Sequence, residues 1–91
     1  MKTKVCFRLE NNGDVSAVFP YLLFDLNRNI TIWDSVSGHG GASYSYATAN
    51  TVPARPSEYE HAKKILEQNY GYELEVLKRM PSYGAYLRNA E

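Results

Sequence analysis

The chain has 91 residues, with ten Lys and Arg side chains against ten Asp and Glu, so its formal net charge is zero. This length fits one small domain. The balanced charge argues against a protein that holds nucleic acid by bulk phosphate neutralisation, and a hydrophobic content of 44% is too high for a disordered segment.

The apolar residues do not form a membrane segment, because no run approaches the roughly 18 residues of a membrane span. The N-terminus leads into an alternating segment where a signal peptide would need an uninterrupted apolar stretch. A single cysteine, Cys6, cannot form an internal disulfide, which favours a reducing compartment. We therefore expect a cytoplasmic protein with no membrane partner.

Apolar and polar residues alternate over residues 4–10, which is typical of a half-buried strand with Cys6 on its outward face. Two loops could follow at Asn11-Asn12-Gly13. A two-residue turn would place Leu9 opposite Ser16 and mix polar with apolar groups. A three-residue loop with Gly13 left-handed pairs only apolar residues: Leu9 with Val15, Phe7 with Ala17 and Val5 with Phe19. We predict this second register.

The middle of the chain is less regular. Pro20 ends regular pairing or marks an edge, residues 21–26 are apolar without a clear period, and residues 27–29 read as a turn before a third strand at residues 30–33. Glycine and serine dominate residues 36–45, which predicts a loop. Residues 51–56 read as an extended connector, because each proline biases its predecessor away from helix.

The clearest element is an amphipathic helix over residues 56–70, which ends at Gly71. Two starts are open: Pro56 at the first helical position, or Ser57 as N-cap with Glu60 closing a capping box. A final strand begins at Tyr72, where apolar and charged residues alternate, loses its period at Leu77 and ends at Lys78-Arg79. Beyond it, residues 81–91 read as a tail or a short helix.

Together these elements predict an α+β domain over residues 1–80 in the order β-β-β-loop-α-β, with one helix packed on a mostly antiparallel sheet of three to four strands. Such a small domain often gains stability by pairing with a second copy. The tail offers a candidate interface, because Tyr83, Tyr86 and Leu87 would line one side of a short helix.

One segment has the composition of a ligand site. Gly38-His39-Gly40-Gly41 combines glycines, which let backbone N–H groups approach a ligand, with a side chain that titrates near neutral pH. Tyr44 and Tyr46 follow and would share one face of an extended strand, as a stacking platform or an interface. No phosphate-loop spacing is present, so a flexible turn with tyrosines packed in a core or dimer is the competing interpretation.

Candidates for catalysis are isolated from one another. His39, His61 and Cys6 are far apart in sequence, which predicts no metal site. Ser37 beside His39 lacks an orienting third group, and Asp25 and Asp34 read as turn or strand-end residues. The sequence therefore predicts a non-enzyme without a cofactor.

Short pieces spread over residues 5–79 resemble a family of small uncharacterised proteins encoded on bacterial plasmids, conjugative elements and prophages. The matching residues are Val5, Phe7-Arg8, Gly13-Asp14-Val15, Ala17-Val18-Phe19-Pro20, His39-Gly40, Asn50-Thr51, Pro53-Ala54, Pro56, Glu58-Tyr59, Gly71-Tyr72, Leu74, Val76 and Lys78-Arg79. The match is distributed over the chain, with no single diagnostic motif. It implies a bacterial or phage setting and no established activity.

The chain departs from the family pattern at two places. A second histidine and a glutamine precede the family's His-Gly pair, whereas Ser35 and Gly38 stand there here. Arg55 replaces a capping threonine, which favours Ser57 as the N-cap.

Two functions from different classes follow. The first is a small accessory protein that binds another protein or itself. The second is a nucleotide or anion binder that uses residues 38–46.

Overall fold

The computed structural model describes residues 2–82, which form one six-stranded sheet and two helices. The elements are β1 Thr3–Glu10, β2 Val15–Leu23, β3 Ile30–Asp34, β4 Gly38–Ala42, α1 Tyr44–Ala49, β5 Thr51–Pro53, α2 Pro56–Tyr70 and β6 Leu74–Leu77. The α+β class and the mostly antiparallel sheet are confirmed, but the sheet is larger than predicted and a second helix is present. The predicted interface residues Tyr83, Tyr86 and Leu87 lie outside the described residues.

The strands follow the order β4-β3-β2-β1-β5, and β6 also pairs with β1. The β1–β6 pair is parallel and every other pair is antiparallel. Because β5 pairs with residues 8–10 and β6 with residues 3–6, both short strands lie end to end on the same flank of β1.

The β1–β2 hairpin has the predicted register, with Phe7 opposite Ala17 and Leu9 opposite Val15. The Glu10 N–H donates to the Asp14 carbonyl at 2.8 Å, so residues 11–13 form the three-residue loop between them. Gly13 has a φ of 90°, a left-handed conformation that glycine adopts at little cost. The Gly13 N–H donates to the Glu10 carbonyl at 2.9 Å. Alternation and one turn glycine were therefore sufficient to predict this register.

Regular pairing between β2 and β3 ends at Phe19, one residue before Pro20, as predicted. The next paired residue of β2 is Leu23, so residues 20–22 form an irregularity in the ladder. The following turn is held by Asp25, whose carboxylate accepts from the backbone N–H groups of Asn27 and Asn29. The side-chain hydrogen bond from Asn29 lowers the pKa of Asp25 below its ordinary value.

The predicted loop at residues 36–45 is wrong. Residues 38–42 form β4, because the 35–37 turn folds the chain back onto β3 and the glycines still offer backbone N–H and C=O groups for pairing. Asp34 caps that turn by accepting from the N–H groups of Val36 and Ser37. Residues 44–49 form α1, whose N-cap Ser43 accepts from the Tyr46 N–H at 3.1 Å.

The helix α2 has the predicted bounds, with Pro56 at its first position, Arg55 rather than Ser57 at the N-cap, and left-handed Gly71 at the C-cap. The Glu58 carboxylate accepts from the Arg55 backbone N–H at 2.8 Å and so caps the first turn from inside the helix. The Tyr72 N–H donates to the Leu66 carbonyl at 3.3 Å beyond Gly71.

The two faces of the sheet carry separate apolar clusters. The larger cluster packs α2 against the sheet; its buried members are Val5, Phe7, Ala17, Phe19, Trp33, Leu66 and Leu74. The smaller cluster joins Val18, Ile30 and Ala47 of α1, with Met80 packed against it. Cys6 lies on this second face and is fully buried, so its predicted exposure is wrong: α1 and the segment after β6 cover the face that a single helix would have left open.

Candidate functional site

The predicted ligand residues lie on both faces of the sheet and do not form one site. His39 lies opposite Trp33 in the β3–β4 pairing and so lies on the face of the sheet that α2 covers. Tyr44 is the first residue of α1 and packs against the smaller cluster, on the opposite face. Gly38 and Gly40 alternate with His39 and Gly41 along the edge strand. Tyr44 and Tyr46 belong to a helix, where residues two apart point in different directions.

His39 belongs to a group of aromatic side chains at the C-terminal end of α2. Its ring centroid lies 4.9 Å from that of Tyr70 in an edge-to-face arrangement and 6.0 Å from that of Tyr72. Tyr72 in turn stacks on Phe19 at 5.1 Å, and Tyr70 meets Trp33 edge-on at 6.2 Å. These rings close the open end of the core between α2 and β4.

A hydrogen bond of 2.9 Å joins the His39 Nε2 to the Tyr72 hydroxyl. Burial, and then the neighbouring Tyr70, raises the pKa of Tyr72 above its ordinary value. The donor in this hydrogen bond depends on the His39 tautomer: the phenol donates when Nε2 carries no proton. The hydrogen bond and the ring contacts orient the imidazole, while His39 itself remains an exposed residue of the edge strand.

On the opposite face, Tyr46 is exposed and lines a shallow cavity of about 40 Å³ beside Ser16 and Asn50. The carboxylates of Glu10 and Asp34 also line this cavity, so it does not suit an anion. Tyr44 is half-buried, and its hydroxyl donates to the Pro81 carbonyl. Burial raises the pKa of Tyr44 above its ordinary value. Tyr44 thus ties the segment after β6 to α1.

The most exposed group of large apolar side chains lies elsewhere, at the end of β2 and in the turn after it. Leu22 and Leu23 are each 41% exposed, Phe24 is 51% exposed, and Leu26 is fully exposed. We call these four side chains the 22–26 patch. The sequence showed this apolar run but not its exposure. The available signal was the turn at residues 27–29, which places the run in a connection between strands, where side chains meet solvent.

The 22–26 patch is joined to the edge strand β4 by Phe24. A Cβ atom built on Gly41 would lie 2.5 Å from the Phe24 Cδ2 and 3.0 Å from its Cγ, so the ring rests directly on the glycine backbone. β4 is the last strand of the sheet, and one side of its backbone faces no other strand within residues 2–82. Through Phe24, the patch therefore adjoins the edge strand β4.

Among residues 2–82, no three His, Cys, Asp or Glu side chains are grouped so that they could hold a metal ion. Neither described helix has the length and apolar character needed to cross a membrane. Searches of protein-family models, curated proteins and solved structures found no match to this chain.

Proposed function

We propose that the chain is a small non-catalytic binding protein that acts through protein–protein contacts, and that its contact surface is the 22–26 patch together with the edge strand β4. The observation that carries this proposal is the exposure of four large apolar side chains within five consecutive residues. Contiguous exposed apolar side chains mark interaction sites in soluble proteins, because water around them is released when a partner covers them.

The edge strand supports the same surface. β4 has no lysine, proline or other large charged side chain that would block pairing with another strand. Its glycines leave the backbone N–H and C=O groups accessible, and strand addition at such an edge is a recurring mode of recognition. A partner strand laid along β4 would meet Phe24 at Gly41 and continue over the leucines.

A second copy of the chain is the simplest partner, because an antiparallel β4–β4 contact is self-complementary under two-fold symmetry. The proposed setting is the cytoplasm of a bacterium that carries a plasmid, conjugative element or prophage, as the family resemblance implies. In that setting the protein acts as an accessory factor through the protein that it holds.

The experiment is sedimentation equilibrium over a range of concentrations with the wild type, Leu26→Glu and Val52→Glu. Both substituted residues are exposed apolar side chains, but Val52 lies in β5, at the opposite edge of the sheet from β4. We expect Leu26→Glu to weaken self-association at least tenfold, because it places a charge in an apolar contact, and Val52→Glu to leave it unchanged.

A pull-down with the same three proteins tests whether the partner is a different protein and not a second copy of the chain. Proteins retained by the wild type and Val52→Glu but lost with Leu26→Glu would support the surface. A wild type that stays monomeric and retains no protein in this Leu26-dependent way would overturn the proposal.

A further inference from the structure

The flank of β1 that carries both short strands contains a gap. β6 pairs with residues 3–6 and β5 with residues 8–10, so only Phe7 lies between the two pairings. A groove of about 300 Å³ opens there, between the end of β6 and the connector from β5 to α2. This volume lies at the lower end of the range for small-molecule pockets.

The groove has an aromatic floor and apolar walls. Phe7 and Tyr59 form the floor, with ring centroids 4.5 Å apart and ring planes within 11° of parallel. The apolar walls are Pro53, Ala54 and Pro56 on one side and Val76 and Leu77 on the other. Because proline restricts its own backbone, the connector wall is already rigid before a ligand arrives.

The charged side chains that line the groove are both cationic, Arg55 and Lys78. Arg55 has a carboxylate neighbour, since its Nε lies 3.9 Å from the Glu58 Oε1. Within residues 2–82, no ion pair joins Lys78 to a carboxylate. The rim at Lys78 therefore presents an uncompensated positive charge beside an apolar cleft.

We propose that this groove binds a small apolar carboxylate, with its apolar body against Phe7 and Tyr59 and its carboxylate at Lys78. The charge of the rim selects an anion, and the apolar lining selects a hydrocarbon or aromatic body over a phosphate or a sugar. The groove lies at the β1 end of the sheet, whereas the 22–26 patch adjoins β4 at the other end, so this site is independent of the proposed protein contacts.

A compact molecule fits the groove better than an extended peptide. Strand addition requires several free backbone groups in a row, and only Phe7 separates the two pairings. The Phe7 carbonyl already accepts from the Ala54 N–H at 3.0 Å. Recognition therefore depends on side chains and shape, which suits a small molecule.

The test is a titration followed by amide signals in nuclear magnetic resonance, with phenylbutyrate as the probe. Its neutral amide and the corresponding phenylbutylamine serve as matched ligands without the negative charge. We expect saturable shifts at the amides of Ala54, Val76 and Lys78, and tighter binding of the acid than of the amide or the amine.

Two charge-reversal variants test whether the positive charge that binds the carboxylate is that of Lys78. Lys78→Glu should weaken phenylbutyrate binding about twofold to fivefold, in line with the strength of an exposed ion pair. Arg79→Glu makes the same change in net charge one residue away, at an exposed position outside the groove lining, and should have a smaller effect.

Three results would overturn the proposal: no saturable shift at millimolar probe, shifts centred away from the groove, or equal affinity for the acid and the amide. The ligand comparison uses the wild type alone, so it remains decisive even where a variant folds poorly.

Discussion

Arg8 and Thr51 are joined by two hydrogen bonds: the Arg8 Nε donates to the Thr51 Oγ1 at 2.8 Å, and an Arg8 Nη donates to the Thr51 carbonyl at 2.9 Å. The same guanidinium reaches the Thr48 carbonyl at the end of α1 at 3.4 Å. Arg8 is only 7% exposed. A buried cation thus binds neutral oxygen acceptors and fastens α1 and β5 to the central strand.

We expect Arg8→Met to lower the free energy of unfolding by about 2 kcal/mol or more, because it removes hydrogen bonds from a charged donor and leaves buried carbonyl oxygens without one. Urea unfolding would measure this. Arg55→Met is the control, since Arg55 is exposed and its contact with Glu58 is long; its cost should stay below about 0.5 kcal/mol. Equal costs for the two variants would contradict the role assigned to Arg8.

Cys6 makes stability depend on pH in the alkaline range. Burial raises the pKa of its thiol above the ordinary value of 9.0, and the nearby Arg8 offsets part of that rise. The unfolded chain therefore loses the thiol proton at a lower pH than the folded chain. Stability from this group is fully present below about pH 9 and is lost as pH rises towards the folded pKa.

The measurement is the free energy of unfolding of the wild type and Cys6→Ala at about pH 7 and about pH 10. We expect the wild type to lose more stability than the variant over this interval, because only the wild type has a thiol whose pKa is raised by folding. Tyr72, whose pKa is also raised, affects both proteins alike, because burial and Tyr70 cause that rise. The pKa of Tyr44 is raised first by burial, and Cys6 is the last of its causes, so most of this rise is common to both proteins. Parallel losses in the two proteins would show that Cys6 is not the source.

The two glycines of β4 that precede Ala42 offer a matched pair of substitutions. A Cβ at Gly41 would strike the Phe24 ring, whereas a Cβ at Gly40 would meet nothing within 4 Å. Gly41→Ala should displace the ring and cost about 1 kcal/mol. Gly40→Ala should be neutral or stabilising by up to about 1 kcal/mol, because alanine reduces the freedom of the unfolded chain.

Thermal unfolding monitored by circular dichroism would compare these two variants. Under the proposed function, Gly41→Ala should also alter self-association, since Phe24 belongs to the 22–26 patch. The same cost at both positions would mean that Phe24 does not rest on Gly41.

The His39–Tyr72 hydrogen bond predicts a measurable coupling between the two side chains. Tyr72→Phe keeps the ring and removes the hydroxyl, so it should cost about 0.5 to 1.5 kcal/mol. In a double-mutant cycle with His39→Ala, the two costs should be less than additive. Tyr70→Phe is the control, because the Tyr70 contact with His39 is through its ring. Additive costs would contradict the contact.

The His39 variant also distinguishes the packing of the aromatic group from the proposed self-association. His39→Ala should leave self-association intact, because the proposed pairing along β4 uses backbone N–H and C=O groups, which the substitution keeps, and the His39 side chain faces α2 and contacts Tyr70 and Tyr72. Sedimentation of His39→Ala beside Leu26→Glu would show this difference.

Local chemistry predicted the parts of the fold that depend on neighbouring residues. The β1–β2 register followed from alternation and from the left-handed Gly13, and the end of α2 followed from Gly71. The strand β4 was missed because three of its five residues are glycine, so no alternating pattern of side chains was available to indicate it. Its pairing with β3 depends on backbone groups that every sequence carries.

The second face of the sheet was missed for a different reason. Cys6 and Arg8 occupy the polar positions of an alternating strand, which predicts solvent exposure. Their burial depends on α1 and on Met80, which lie far along the chain, and local pattern carries no information on such contacts. The exposure of the 22–26 patch was not predicted either, because an apolar run without a clear period does not indicate which of its side chains will be covered.

The end-to-end placement of β5 and β6 affects how the chain is completed during synthesis. The first half of β1 receives its partner on that flank only when β6 emerges, at the far end of the described chain, and the second half is joined earlier by β5. In a ribosome-bound chain from which β6 has not yet emerged, Val5 and the adjacent residues of β1 have no strand paired with them on that flank. Closure of this flank is therefore a late, long-range event, which slows folding.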